Sequence, residues 1–284
     1  MDLSTEHTTV TSLFTPDRAD TDDPISEETV AAFERDGFIF GVPMLSSDQL
    51  SALQSELKDL MDPDRTDTTL FYEYNLNESK ESGRELFHAL GAWRVSEAFH
   101  DLVFFSRLIR CAEILLDGPV QFWHDQVFVK PPQDGAVVAW HQDYSYWTRT
   151  VPLAHLTCWI GLDDSNEDNG CVQYVPESHR WHLLPRGDLG NDMTAVFKHL
   201  NSEQMDAFKP VPAAMPAGHA SFHHPMTVHG SYENNSDRPR RGVVINFIRD
   251  GVRSNTNDPL LDGVPVIPMG EKIDGQFFPL LSAV

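Results

Sequence analysis

At Asp117-Gly118-Pro119 the sequence changes its period, and that change limits the architecture more than any other feature. Before it, apolar residues recur at helical spacing; after it, β-branched and aromatic residues come in short runs separated by turn residues. Ser26 can cap a helix that runs through Phe33 to Asp36-Gly37. Ser46 with Gln49 makes a capping box ahead of Leu50, Leu53, Leu57 and Leu60, which share one stripe. A third helical stretch spans about Ser96 to Leu116 and stops at Asp117-Gly118-Pro119. The runs Val120–Val129, Leu156–Leu162, Cys171–Val175 and Gly242–Phe247 are strand-length, and Asn169-Gly170 between two of them is a hairpin signal. Short strands after a helical N-terminal third predict a mainly β fold, an antiparallel sandwich or jelly roll with the helices packed on one face. Residues 1–24, rich in Thr, Ser and Asp, are expected to form a flexible acidic tail, which leaves 25–284 as one domain.

Charge excludes one class of partner. Asp and Glu number 43 against 21 Lys and Arg, a net charge of −22, which repels a polyphosphate backbone and makes nucleic acid a poor partner. No run approaches the roughly 20 apolar residues of a membrane span. The N-terminus lacks the basic start of a signal peptide, so a cytoplasmic location is expected. Cys111, Cys158 and Cys171 are widely spaced and form no C-x-x-C, so they read as buried reduced thiols.

Trp140-His141-Gln142-Asp143 places His141 and Asp143 two apart, on one face of a strand and within reach of a single ion. With thirteen histidines in the chain such a pair is weak evidence alone. His229, 88 residues later, changes its weight: two imidazoles and a carboxylate make a facial triad that leaves three adjacent positions open on an octahedral Fe(II). Asn234-Asn235-Ser236-Asp237 is turn chemistry, so the chain reverses and brings Arg240 back toward His229. A guanidinium fork beside an open metal site is a carboxylate clamp. His223 and His224 compete with His229, but Pro225 follows them directly and neither has the Arg partner, so both read as structural or as supports behind the metal ligands. His124, His155, His179 and His182 read as core or surface histidines.

These residues, with Phe128-Val129-Lys130-Pro131-Pro132 ahead of them and Asn169-Gly170 leading into Val175-Pro176-Glu177-Ser178-His179, resemble the phytanoyl-CoA dioxygenase family of Fe(II)/2-oxoglutarate oxygenases over about residues 25–284. One departure is Glu177, where the family commonly has Gly. The resemblance implies a double-stranded β-helix, cupin-like core, with His141, Asp143 and His229 on iron and Arg240, helped by Ser231, on the distal carboxylate of 2-oxoglutarate. Thr157 and Gln126 are further candidates for cosubstrate contacts, and Lys130 is expected to pair at the surface rather than offer its charge to the cosubstrate. It also implies O2-dependent hydroxylation of a small-molecule C–H, coupled to release of succinate and CO2. A carboxylate at Asp143 disfavours a halogenase, whose family members have a small residue there.

Two other classes stay open at this level: a jelly-roll binding module without chemistry, and a zinc hydrolase on the same ligands. Tyr144, Tyr146 and Trp147, with Phe71, Tyr72 and Tyr74, could wall a substrate pocket or fill the core. A CoA thioester needs basic residues at the pocket mouth that this chain hardly offers, so an acyl-CoA substrate is not expected.

Overall fold

Apolar and polar residues alternate along the central strands, and the alternation assigns each face of the main sheet. The computed structural model describes residues 1–15, 23–65, 67–79, 82–189 and 192–282. Its strands are β1 (Phe38–Pro43), β2 (Glu73–Asn75), β3 (Phe87–Leu90), β4 (Val120–Lys130), β5 (Val138–His141), β6 (Thr150–Val151) and β7 (His155–Gly161). There follow β8 (Val172–Tyr174), β9 (Val211–Pro212), β10 (His219–His223), β11 (His229–Ser231), β12 (Arg240–Arg249) and β13 (Arg253–Ser254). Seven form an antiparallel sheet in the order β1-β10-β7-β12-β4-β3-β2, and four form a second in the order β5-β11-β8-β9.

Leu156, Cys158 and Ile160 of β7, Ala220 and Phe222 of β10, and Val243 and Ile245 of β12 point one way into the largest core cluster. The helices α1 (Glu27–Asp36), α2 (Ser47–Leu60), α3 (Glu97–Val103) and α4 (Ser106–Leu116) cover that face with Phe33, Leu53, Leu57, Leu102 and Leu108. The residues between them, Thr157, Trp159, Ser221 and His223, point the other way, toward the small sheet. The fold is therefore mainly β with helices on one face. Among the described residues no helix is long and apolar enough to cross a membrane.

Both helix starts follow the local chemistry. Ser26 accepts from Thr29 N, the Ser46/Gln49 capping box is formed, and α1 ends on Gly37 at φ +84°. The third helical stretch is instead two helices, because Phe105 turns extended and packs its ring edge-on against Phe14 at 5.3 Å. Burial of that aromatic overrides helix continuation.

Two further expectations need correction. Asn169-Gly170 does not close a hairpin: β7 lies in the large sheet and β8 in the small one, so this turn crosses between sheets. The expected flexible tail over residues 1–24 does not hold for residues 1–15. The carboxylate of buried Asp101 accepts from Val10 N (2.7 Å), Thr11 N (2.8 Å) and the Thr11 hydroxyl (2.6 Å), Asp2 pairs with Arg94, and Phe14 is fully buried. Satisfying a buried carboxylate with backbone donors fixes the segment. Residues 16–22 of that expected tail lie outside the described residues. Glu177 takes φ +62°, a conformation that glycine adopts more freely.

Candidate active site

The small sheet brings the two halves of the expected constellation together. In the β5–β11 pairing His141 stands opposite His229, and their rings lie 4.2 Å apart. Asp143 is not on the strand, as the two-residue period had suggested, but opens a short 3-10 turn after Gln142. Gln142 faces the other way, where its side chain donates to Met226 O and accepts from Leu184 N, so the end of β5 is pinned.

Both imidazoles are oriented by backbone carbonyls. His141 Nδ1 donates to Ala139 O (2.8 Å) and His229 Nδ1 to Thr227 O (3.0 Å), which leaves each Nε2 as a lone pair. The two Nε2 atoms face Asp143 Oδ1 at 3.3 Å and 3.6 Å. Three acceptors with no proton among them repel one another, and a divalent cation between them removes that repulsion; the three donor atoms lie within 4.8 Å of one another. The donor set is that of a two-histidine, one-carboxylate facial site, so these residues can hold such an ion. Burial alone raises the Asp143 carboxyl, but His229 first, then His141 and His223, outweigh it and hold it well below the usual range. Burial keeps His229 neutral, well below its ordinary value.

Arg240 opens β12 and lines the same cavity, whose volume is about 450 Å³. Its guanidinium donates through Nε and Nη2 to Gly170 O (3.2 and 2.8 Å), through Nη2 to Ser231 Oγ (3.1 Å), and lies over the Trp159 ring. Gly170 carries φ +73°, and a Cβ there would sit 2.3 Å from Tyr232 O, so the turn that presents this carbonyl needs glycine. Burial lowers the guanidinium to about 10. Arg241 points to the opposite face and forms a two-pronged pair with Asp163.

The remaining expectations divide. Thr157 and Gln126 both line the cavity, but the Thr157 hydroxyl donates to Asp143 Oδ2 at 2.7 Å, and Gln126 Oε1 meets His88 Nε2 at 3.0 Å. Lys130 was expected at the surface and is fully buried, donating to Ser231 Oγ (2.6 Å), Ser231 O (3.3 Å) and Tyr232 O (2.5 Å). The chain returning through β11 covers the end of β4 with these acceptors, and burial, then Arg240, lowers its amine well below the usual value. Of the aromatic residues, Tyr72, Tyr146 and Trp147 line the cavity, whereas Phe71, Tyr74 and Tyr144 pack into or against the core.

His224 packs against His179, away from the triad, but His223 lies on it: its Nε2 is 3.0 Å from Asp143 Oδ2. Alternation along β10 would have found it, because Ala220 and Phe222 face the helices and Ser221 and His223 face the cavity. Glu73, Glu78 and His88 form a second converging group on another wall. Both nitrogens of His88 are already committed, to Glu78 and to Gln126.

The phytanoyl-CoA dioxygenase family profile matches residues 33–242. L-proline trans-4-hydroxylase of Streptomyces griseoviridis is 26% identical, over 84% of this chain and 93% of that protein. Ectoine dioxygenase of Halomonas elongata is 27% identical, over 80% of this chain and 71% of that protein. Among solved structures, the non-heme alpha-ketoglutarate-dependent carbocyclase SnoK from nogalamycin biosynthesis superposes with a TM-score of 0.73 at 21% identity, covering 91% of this chain and 97% of that one. That likeness identifies the fold as a cupin-like double-stranded β-helix.

Proposed function

The chain belongs to the phytanoyl-CoA dioxygenase family and is an Fe(II)- and 2-oxoglutarate-dependent dioxygenase, and from that premise we propose that His141, Asp143 and His229 hold its iron and Arg240 its cosubstrate. The observation that carries the assignment is the convergence of two Nε2 lone pairs on Asp143 Oδ1 within the cavity that Arg240 lines. Bound Fe(II) and 2-oxoglutarate supply the oxidising chemistry with O2, and the protein's share is to orient and to exclude water. Ser231 Oγ already accepts from Lys130 and Arg240, so its own hydrogen is free to reach the far carboxylate of 2-oxoglutarate. Gln126 and Thr157 complete the cosubstrate wall, Thr157 acting mainly through Asp143.

The primary substrate is a small metabolite oxidised at an aliphatic C–H. A cavity of about 450 Å³ that also takes the cosubstrate leaves room for little more. The cationic side chains lining it among the described residues are Arg149, Arg186 and Arg240, and Arg240 is buried, so the polyphosphate of a CoA thioester has little to meet. The relatives named for L-proline and ectoine support a compact substrate. A cytoplasmic setting is supported by three buried, unpaired cysteines.

The test has two stages. Anaerobic Fe(II) protein should develop a metal-to-ligand charge-transfer band on addition of 2-oxoglutarate, and a panel of amino acids, cyclic amines and other small metabolites should then be screened for stimulated succinate release. A wild-type protein with neither band nor succinate would sink the site assignment.

A further inference from the structure

Asp143 has two oxygens with different surroundings. Oδ1 faces the Nε2 atoms of His141 and His229, whereas Oδ2 receives the Thr157 hydroxyl at 2.7 Å and meets His223 Nε2 at 3.0 Å. A carboxylate only accepts hydrogen bonds, so the hydrogen on the second contact belongs to His223 Nε2. The other ring nitrogen then needs a donor, and Tyr174 OH lies 3.3 Å from His223 Nδ1. With its hydrogen given to His223, the Tyr174 oxygen accepts from Ser221 Oγ at 2.8 Å. Ser221, Tyr174 and His223 are all buried, and each link of the chain points toward the carboxylate.

We infer that His223 is a positioning residue of the iron site: fed by Ser221 and Tyr174, it joins Thr157 in holding Asp143 Oδ2 and so confines the carboxylate to one-oxygen coordination. This rests on the iron assignment proposed above. The confinement matters for the reaction because two imidazoles and a two-oxygen carboxylate would fill four of six octahedral positions. Two would remain, one fewer than a chelating keto acid and dioxygen require together. The chain also ties the layers of the sandwich, since Tyr174 comes from the small sheet and Ser221 and His223 from the large one.

Co(II) replaces Fe(II) as the probe, because its visible bands report coordination number without turnover. His223→Leu removes the donor, His223→Gln restores an N–H at similar reach, and Tyr174→Phe keeps the ring but cuts the supply to Nδ1. His223→Leu should bind Co(II) about 10- to 100-fold more weakly and shift the bands, as loss of a partner that orients a ligand does. His223→Gln should recover most of the affinity and the wild-type spectrum, and Tyr174→Phe should fall between. His224→Ala, which does not contact the triad, should match wild type. Should His223→Leu fail to fold, the Gln and Phe variants decide alone. Lower thermal stability with unchanged Co(II) affinity and spectrum would mean that His223 is merely structural, and would overturn the inference. Wild-type protein that binds no Co(II) would instead overturn the iron assignment, and this inference with it.

Discussion

Arg240 Nη2 stands 3.1 Å from Ser231 Oγ, and the same guanidinium is fixed from behind by Gly170 O. A dicarboxylate held on iron by one end must desolvate the other, and a pre-oriented fork compensates that cost with charge-assisted bonds that an ammonium cannot match in geometry. Such bonds contribute roughly 1.5–3 kcal/mol, and an unpaired buried carboxylate costs more, so Arg240→Ala should weaken 2-oxoglutarate about ten- to a thousandfold. Arg240→Lys should recover only part. Arg241→Ala, on the opposite face with Asp163, should bind as wild type in the anaerobic charge-transfer titration. The reverse pattern would show the clamp misassigned.

Lys130 has no such freedom to be replaced. Its ammonium ties Ser231 and Tyr232 under the guanidinium, and Lys130→Met strands acceptors in a dry site. Each acceptor left unpaired costs about 1–3 kcal/mol, so urea unfolding should show a loss of at least that size. The freed Ser231 hydroxyl should also weaken 2-oxoglutarate several-fold. A variant as stable as wild type with unaltered cosubstrate affinity would return Lys130 to the role of a bystander.

Metal binding should separate the histidines sharply. His141→Ala and His229→Ala should each lose stoichiometric Fe(II) in equilibrium dialysis, because each removes an Nε2 that faces Asp143. His224→Ala should retain it. Iron kept by His229→Ala and lost by His224→Ala would mean that the wrong imidazole was chosen.

The parts that could be read from the sequence are those set by neighbours in the chain. Ser26, Ser46 and Gln49 cap helices with partners three residues away, and turn chemistry at 234–237 returns Arg240 to the cavity without knowledge of the sheet. What escaped depends on distant strands. Lys130 ends a strand, where a lysine ordinarily reaches water, and only the return of the chain through β11 buries it. Asn169-Gly170 carries hairpin residues, yet strands in different sheets flank it. The order of residues 1–15 depends on Asp101, some 90 residues away. His223 could be read only as structural or as a support behind the ligands, because the β10–β7 register is what sets it beside Thr157 and against Asp143.

Asp143 also bears on the product. A carboxylate occupying the coordination position that a halide would need leaves hydroxylation or desaturation, and not halogenation, as the outcome. Native protein turning over an identified substrate in high chloride should give a product heavier by one oxygen or lighter by two hydrogens, and none carrying chlorine. A chlorinated product by mass spectrometry would remove Asp143 from the metal.

Three buried histidines outside the triad make stability depend on pH. Burial holds His124 at about 4, His155 at about 3 and His224 at about 4. The unfolded chain takes up these protons below about 6.5 while the native chain resists until about 4, so their contribution is present above about 6.5 and falls as pH drops through that window. Asp125 acts in the opposite sense: burial raises it to about 7 despite donation from Trp93 N and Gly91 N, so its contribution is present at low pH and fades as pH rises toward 7. In the metal-free protein His229, which burial also keeps neutral, joins these three, so the protons taken up by histidines on unfolding outnumber the one released by Asp125 and stability falls on acidification between about 6 and 4.5. His155→Gln removes one of these protons and should make that slope shallower by about 1.4 kcal/mol per pH unit. Urea unfolding of metal-free protein across this range measures it directly, since bound iron would add a proton linkage of its own. An equal slope in wild type and His155→Gln would show that His155 is not held neutral by its burial.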